Sequence, residues 1–382
     1  MKISFIVPWI SQGLGDVENT GHLMANVMAN RGHEVHVYTF DSEKRLPKWS
    51  LHNSIKLHYL PQGNSAKIDS QMAVALAERC PDLIVGLHMN RTMLRYTIAA
   101  QKIGVPLILS EHVDPHLPRR IGNFSSKERE VTFAGATRIH LLTDEFVSTV
   151  PEYLRHKIDI IPYTVADATK TCDPVGGVQK SLITCGPLLG RRNLVRLIDE
   201  FAFVAAKHSD WTLKVLGEGP LLKALTKRTQ QKSVGTQVEF LGCPEGTYEH
   251  LEKSQLFVIP SLFENSSTSS LEAMAHGMPL IAYAAGKGLN EQIVDGLNGR
   301  LVADSLDPGS LASVLDSMMG DDEMRLKMGA ASKQRFDSMY SNDVVFDAWE
   351  DQFKRAVSEG PAKPTYTAES QATASLYELV TG

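Results

Sequence analysis

Short apolar runs alternate with amphipathic stretches along the first 165 residues. Residues 3–7, 35–40, 83–85, 106–110, 139–142 and 158–161 read as strands. Between the first two, Leu23, Met24, Val27 and Met28 recur at helical spacing and give a helix with one apolar face. Gly32 stands where that helix would end, because glycine accepts the left-handed backbone of a C-terminal cap. Strands alternating with helices predict a parallel sheet covered on both faces. The pattern stops near Thr164, and residues 166–180 are small, polar and Gly/Pro-containing, as an interdomain linker would be. It then restarts, with strands expected at 182–185, 213–216, 238–241, 256–259, 280–283 and 301–302. Val345, Trp349, Phe353 and Val357, spaced by four, predict a final amphipathic helix over 341–359. Residues 360–382, rich in Ala, Thr, Ser and Pro, predict a flexible tail.

The chain of 382 residues exceeds one ordinary core, so two α/β domains are expected, 1–165 and 181–340. In open α/β sheets ligands bind at the carboxyl ends of the strands, which directs the search for chemistry there. No apolar run approaches the roughly 20 residues of a membrane span, and the first residues have a strand's layout rather than a signal peptide's. The four cysteines are scattered with no CxxC pair, which fits a reducing cytoplasm and argues against a zinc cluster or a disulfide framework. A net charge of −5 gives a nucleic-acid partner no electrostatic support.

The most informative stretch runs from Ser261 to Ala275, after the strand at 256–259. Leu271, Met274 and Ala275 form a helical apolar face, and Ser266, Ser267 and Thr268 before it supply N-cap chemistry. Glu272 then lies inside the helix and Glu264 in the loop before it. Eight helical residues would set the two carboxylates about 12 Å apart, the scale of a sugar, a diphosphate and a ribose in a row. Backbone N–H groups of Asn265 to Ser267 would face an anion at the helix N-terminus. On spacing alone, a serine-rich cap with two solvated glutamates explains the stretch equally well.

This segment resembles the E-x7-E motif of retaining glycosyltransferases of family 4, which have the GT-B architecture. Other stretches agree in order along the chain. Val215-Leu216-Gly217-Glu218-Gly219-Pro220 resembles the family's V-x-G-x-G-P, Phe240-Leu241-Gly242 its F-L-G turn, and Leu271-Glu272-Ala273-Met274-Ala275-His276-Gly277-Met278-Pro279 its L-E-A-M-A-x-G-x-P. Residues 291–299 resemble its E-I-V-x-D-G-x-N-G. The resemblance implies two Rossmann-like parallel-sheet domains facing a central cleft, the first binding acceptor and the second donor, with the last helix crossing back to the first domain. It gives Glu264 the transferred sugar and Glu272 the ribose hydroxyls. A carboxylate accepting two vicinal hydroxyls makes charge-assisted hydrogen bonds. Near the anomeric carbon a carboxylate also favours an oxocarbenium-like transition state. Gly217, Gly242, Asn265, Ser266, Ser267 and Thr268 fall among the donor-binding positions.

The family's G-R-x-x-x-x-K stretch reads Gly186-Pro187-Leu188-Leu189-Gly190-Arg191-Arg192 here. Arg192 takes the lysine position, but Pro187 replaces the arginine, leaving Arg191 as the candidate substitute. Asn265, where glycine is common, is a second departure. In the first half, Gly13-x-Gly15 followed by Asp41 suggests a dinucleotide fingerprint, yet Glu18 stands where the third glycine belongs. The family's G-G-x-E loop fits better, with Gly15 and Glu18 retained and Asp16 replacing a glycine. Ser110-Glu111-His112 closes a strand, and the resemblance sets His112 against the transferred sugar, as in bacterial enzymes of surface-glycan assembly that use N-acetylhexosamine donors. His88, His116 and His140 read as structural. Arg91, Arg95, Arg119 and Arg120 suggest a face for a polyprenyl-phosphate-linked acceptor at a membrane, with ordinary solvated arginines the plainer reading.

The expectation is a cytoplasmic, metal-independent retaining hexosyltransferase (EC 2.4), peripheral at the inner membrane face. It would move a hexose or N-acetylhexosamine from a UDP-sugar to a glycan or lipid-linked acceptor, with no cofactor and no nucleic-acid partner. The sequence offers no D-x-D motif, so arginines would do the electrostatic work. A nucleotide-sugar 2-epimerase and a non-catalytic nucleotide-sugar-binding scaffold are the alternatives.

Overall fold

Apolar runs with turn residues between them become buried parallel strands once crossover helices cover both faces of the sheet. A computed structural model of the chain shows this arrangement twice. It describes residues 1–11, 16–42, 45–63, 66–87, 92–112, 115, 125–177, 179–244, 246–261, 266–284, 287–303, 307–364, 366–368, 370–371 and 373–375. The chain divides into two compact units, Met1–Pro162 with Val345–Gly382, and Tyr163–Val344.

The first unit runs β1 (Lys2–Ile6), α1 (Asp16–Asn30), β2 (Glu34–Thr39), β3 (Lys56–Tyr59), α2 (Ala66–Ala77), β4 (Leu83–Leu87), α3 (Thr92–Ile103), β5 (Leu107–Glu111), α4 (Ser126–Ala134), β6 (Arg138–Leu141) and β7 (Ile158–Ile160). These strands form one sheet in the order β3-β2-β1-β4-β5-β6-β7, all parallel. Of the seven, β3 is the one the apolar pattern does not announce. Its residues Lys56, Leu57, His58 and Tyr59 are at most half-buried at the sheet edge, so they need no apolar run. Gly32 does adopt the left-handed φ of +84° after α1.

The second unit runs β8 (Lys180–Cys185), α5 (Leu194–Val204), β9 (Trp211–Leu216), α6 (Leu222–Gln231), β10 (Val238–Gly242), α7 (Thr247–Glu252), β11 (Leu256–Ile259), α8 (Thr268–Ala275), β12 (Leu280–Tyr283), α9 (Lys287–Gln292), β13 (Gly299–Val302), α10 (Ser310–Gly320) and α11 (Asp322–Met339). Its parallel sheet has the order β10-β9-β8-β11-β12-β13. The expected linker is fastened to this unit. The buried Arg325 donates to the Pro174 carbonyl at 2.8 Å and stacks over Trp211, and the Cys172 amide donates to the His276 carbonyl at 2.7 Å.

The last helix, α12 (Asn342–Glu359), packs on the first unit's sheet. Phe346, Trp349 and Phe353 are buried there with Phe5, Met24 and Met28. Val357 departs from expectation: it is exposed, and Ala356 takes the buried position. A helix advances about 100° per residue, so a spacing of twelve turns a side chain roughly 120° away from the starting face. The tail also differs, because Ala374 is buried against Leu94 and Val131 and Tyr366 packs with them. Arg95 is no surface charge either. It is 9% exposed, ion-paired with Asp69 and stacked over Phe40, so it offers nothing to an acceptor. Arg91, Arg119 and Arg120 lie outside the described residues. Among the described residues no helix is long and apolar enough to cross a membrane.

Candidate active site

In the second unit the sequence-predicted residues converge at the carboxyl ends of β8, β9, β10 and β11. Gly186 follows β8 at φ +139° and Gly217 follows β9 at φ +137°. A Cβ on Gly217 would lie 1.9 Å from the Gly186 carbonyl oxygen, so the two strand ends approach this closely only because Gly217 carries no side chain. The Gly217 amide donates to the Gly242 carbonyl at 2.6 Å, which ties in the end of β10. Gly217→Ala should therefore destabilise this unit by about 2 kcal/mol, from an unfavourable φ and from displacement of Gly186. A urea midpoint unchanged from wild type would contradict that close approach.

Arg192 stands in a 3-10 turn, Gly190–Arg192, between β8 and α5. Its guanidinium occupies the space beside Gly186 that a side chain there would crowd, and Nη1 donates to Ser261 Oγ at 3.4 Å. Gly186, Arg192, Val215 and Ser261 line a cavity of about 10 Å³, roughly one water in size. Arg191 is exposed in the same turn, and Pro187 places a ring where an arginine was expected. Burial first, then the charge of Glu272, pushes the Cys185 thiol far above its usual range, while Arg192 acts the other way. One anionic and one cationic side chain therefore act on the end of β8.

Glu272 is half-buried inside α8, 3.5 Å from the Tyr248 hydroxyl. Burial and then the Glu272 charge raise the pKa of that hydroxyl, keeping it a neutral donor. Ser267 caps α8, its side chain accepting from the Ser270 amide at 3.4 Å. The Ser267 amide is not offered to an anion in this structure, contrary to expectation: it donates to Gln292 Oε1 at 3.4 Å. The same oxygen accepts from Ser270 Oγ at 2.5 Å, and Gln292 Nε2 donates to Ser266 Oγ at 3.0 Å. Gln292, buried at the end of α9, thus clamps the serine loop. Asn298 holds that end of α9 in turn, donating to the Gln292 carbonyl at 3.0 Å and accepting from the Val294 amide at 2.8 Å. Thr268 begins α8, whereas Glu264 and Asn265 lie outside the described residues.

In the first unit His112 directly follows β5 and is 8% exposed. Its Nε2 is 2.6 Å from Ser110 Oγ, which is 2.7 Å from His140 Nδ1. His140 Nε2 meets the Ile161 carbonyl at 2.7 Å, and the Trp349 ring lies 4.3 Å from the His140 ring. Burial pushes the His140 pKa down to about 4, so the ring is neutral near pH 7. His140, read as structural from the sequence, is a buried histidine whose two ring nitrogens meet Ser110 and the Ile161 carbonyl. Alternation along β5 sends Glu111 to the opposite face, where Arg129 binds it through two bonds of 2.8 and 2.5 Å. Gly15, His88 and His116 are outside the described residues. Glu18 is buried in α1, and Asp41 accepts from the Ser11 amide at 2.7 Å rather than waiting for a ribose.

Residues 176–335, most of the second unit, match the glycosyl transferases group 1 family. That stretch is similar to a glycosyl transferases group 1 domain. The sequence is 23% identical to an exopolysaccharide phosphotransferase of Streptomyces coelicolor over 94% of this chain, but spans only 41% of that protein's length. It is 24% identical to a Campylobacter jejuni α-1,4-N-acetyl-D-galactosaminyltransferase, over 88% of this chain and 93% of the relative. That relative is named for an acceptor on diNAcBac-PP-undecaprenol. Anabaena HepE, solved in complex with UDP and glucose, superposes with a TM-score of 0.73 at 16% identity, over 93% of this chain and 99% of HepE. The fold is GT-B, and the domain match with these relatives supports a glycosyltransferase.

Within residues 176–335, Tyr248 and Gln292 join the site without having been singled out in the sequence, and Ser261 joins it from the start of the stretch that leads into α8. Gln292 stood inside a recognised motif, but nothing local indicated which loop it grips. Tyr248, inside α7, carries no local signal of its own.

Proposed function

We propose that the chain is a metal-independent, retaining glycosyltransferase moving a hexose or N-acetylhexosamine from a UDP-sugar to a glycan or lipid-linked acceptor. The observation that carries this reading is Arg192 braced on Gly186 and Ser261, with Glu272 acting electrostatically on the same strand end. A fixed guanidinium suits a departing diphosphate, and a carboxylate within a helix suits ribose hydroxyls. Transfer forms a bond between the acceptor oxygen and the anomeric carbon as the bond to the diphosphate breaks. The acceptor's proton passes to the departing diphosphate on the same face, which retains configuration. Glu264 is assigned to the transferred sugar by its place in the motif, and His112 to positioning that sugar. UDP and glucose in HepE, and a polyprenol-linked acceptor in the name of the Campylobacter relative, support the choice of substrates.

Pro187 favours one second reading, a protein that binds a nucleotide sugar without turning it over, since half of the expected cationic pair is absent. Thermal shift with UDP-sugars, with and without EDTA, paired with an assay for released UDP, separates the two. One UDP-sugar should raise the melting temperature irrespective of EDTA and should release UDP when an acceptor is present. Glu272→Ala should weaken donor binding about 30-fold through loss of charge-assisted bonds. Binding that survives Glu272→Ala intact would remove the ribose role, and binding without any UDP release from a panel of acceptors would favour the second reading.

A further inference from the structure

The bonds behind His112 can be oriented one hydrogen at a time. The Ile161 carbonyl oxygen only accepts, so His140 Nε2, 2.7 Å away, carries a proton. The His140 ring is 1% exposed and neutral near pH 7, so its Nδ1 bears the lone pair. Ser110 Oγ, 2.7 Å from that nitrogen, therefore directs its one hydrogen to it. With the hydrogen committed, Ser110 Oγ faces His112 Nε2 at 2.6 Å as an acceptor, and that nitrogen must be the donor.

We infer that the Ile161 carbonyl, His140 and Ser110 form a fixed chain of hydrogen bonds that holds His112 as its Nε2–H form, so that any proton His112 exchanges with a ligand moves at Nδ1. Ser110 and His140 are positioning residues, acting on substrate only through His112. Their own positions are over-determined. Ser110 is fully buried, and the parallel register of β5 and β6 sets it directly opposite His140. Trp349 from α12 covers the His140 ring, and Phe353 backs Trp349 with ring centroids 5.8 Å apart. Reversing the chain would turn the His140 Nε2 lone pair onto a carbonyl oxygen inside the fold, leaving two buried acceptors face to face. The importance of His112 rests on the function proposed above, but its tautomer does not.

Two-bond ¹H–¹⁵N correlations of the imidazole rings in the full-length protein read the tautomers directly. At neutral pH the wild-type spectrum should show His140 as Nε2–H and His112 with its proton on Nε2. Ser110→Ala should shift neutral His112 to a mixture of tautomers and lower kcat for UDP release about tenfold, with KM for the UDP-sugar within about twofold. Ser110→Thr, which keeps the hydroxyl, should restore the His112 pattern and most of kcat. A wild-type His112 protonated only on Nδ1 overturns the inference, and this reading needs no variant to fold. So does Ser110→Ala with unchanged tautomer and kcat. Absence of UDP release by the wild-type chain would count against the transferase reading alone, because the spectra still decide the hydrogen-bond chain.

Discussion

Arg192→Ala is expected to slow sugar transfer by about 10²–10³-fold, the range for removing one preorganised donor from a developing negative charge. In the proposed reaction the leaving diphosphate would gain its charge at the carboxyl end of β8, where Arg192 is the half-buried cation. Pro187 supplies none and Arg191 is exposed, so water screens it strongly. Arg192 is half-buried and already oriented by Gly186 and Ser261, so it needs little reorganisation when the diphosphate departs. Arg191→Ala should cost less than about threefold, as exposed charges contribute little. Arg192→Lys should fall between wild type and alanine, keeping the charge but losing the planar fork. The readout is kcat for UDP release, with circular dichroism to show that the fold persists. Equal losses at the two arginines, or full activity in Arg192→Ala, would remove Arg192 from the leaving-group role.

Arg129→Ala is expected to destabilise the first unit by about 3–5 kcal/mol, because it strands a buried carboxylate. Glu111 is 1% exposed and both its oxygens accept from Arg129. Arg129 also donates to the Thr149 carbonyl at 2.8 Å and lies over the Phe133 ring, so truncation loses packing as well as charge. Glu111→Ala should cost a similar amount by stranding the guanidinium. A paired Glu111→Leu/Arg129→Met change should recover most of the loss, since the desolvation cost vanishes with both charges. Urea midpoints for the four proteins test this, and an additive double variant would show that the two residues are not coupled. Glu111 adjoins His112, so the single variants should also disturb the end of β5, and activity is best compared in the double variant.

The family resemblance rested on residues packed into short local motifs, and the structure shows why those are legible. Gly186, Gly217 and Gly242 sit at successive strand ends, where the turn after each strand dictates the residue type locally. Ser267 and Glu272 follow the rules of a helix start and a helix face, again within a few residues. The failures have the opposite character. β3 hides because an edge strand needs no apolar run. Val357 was misplaced because a spacing of four drifts off a 3.6-residue turn. Arg95 looks like surface charge until Asp69 and Phe40 are brought beside it.

Local patterning specifies two α/β units and every strand but β3, and it names the loops in which donor chemistry is expected. Each of those follows from periodicity and turn chemistry, which act over a few residues. Only the tertiary structure decided that Gln292 grips the serine loop, that Arg325 fastens the linker, and that His140 stands behind His112. Ser110 and His140 are thirty residues apart and meet because β5 and β6 pair in one register. That adjacency is set by the sheet as a whole, through packing that no short stretch of sequence encodes.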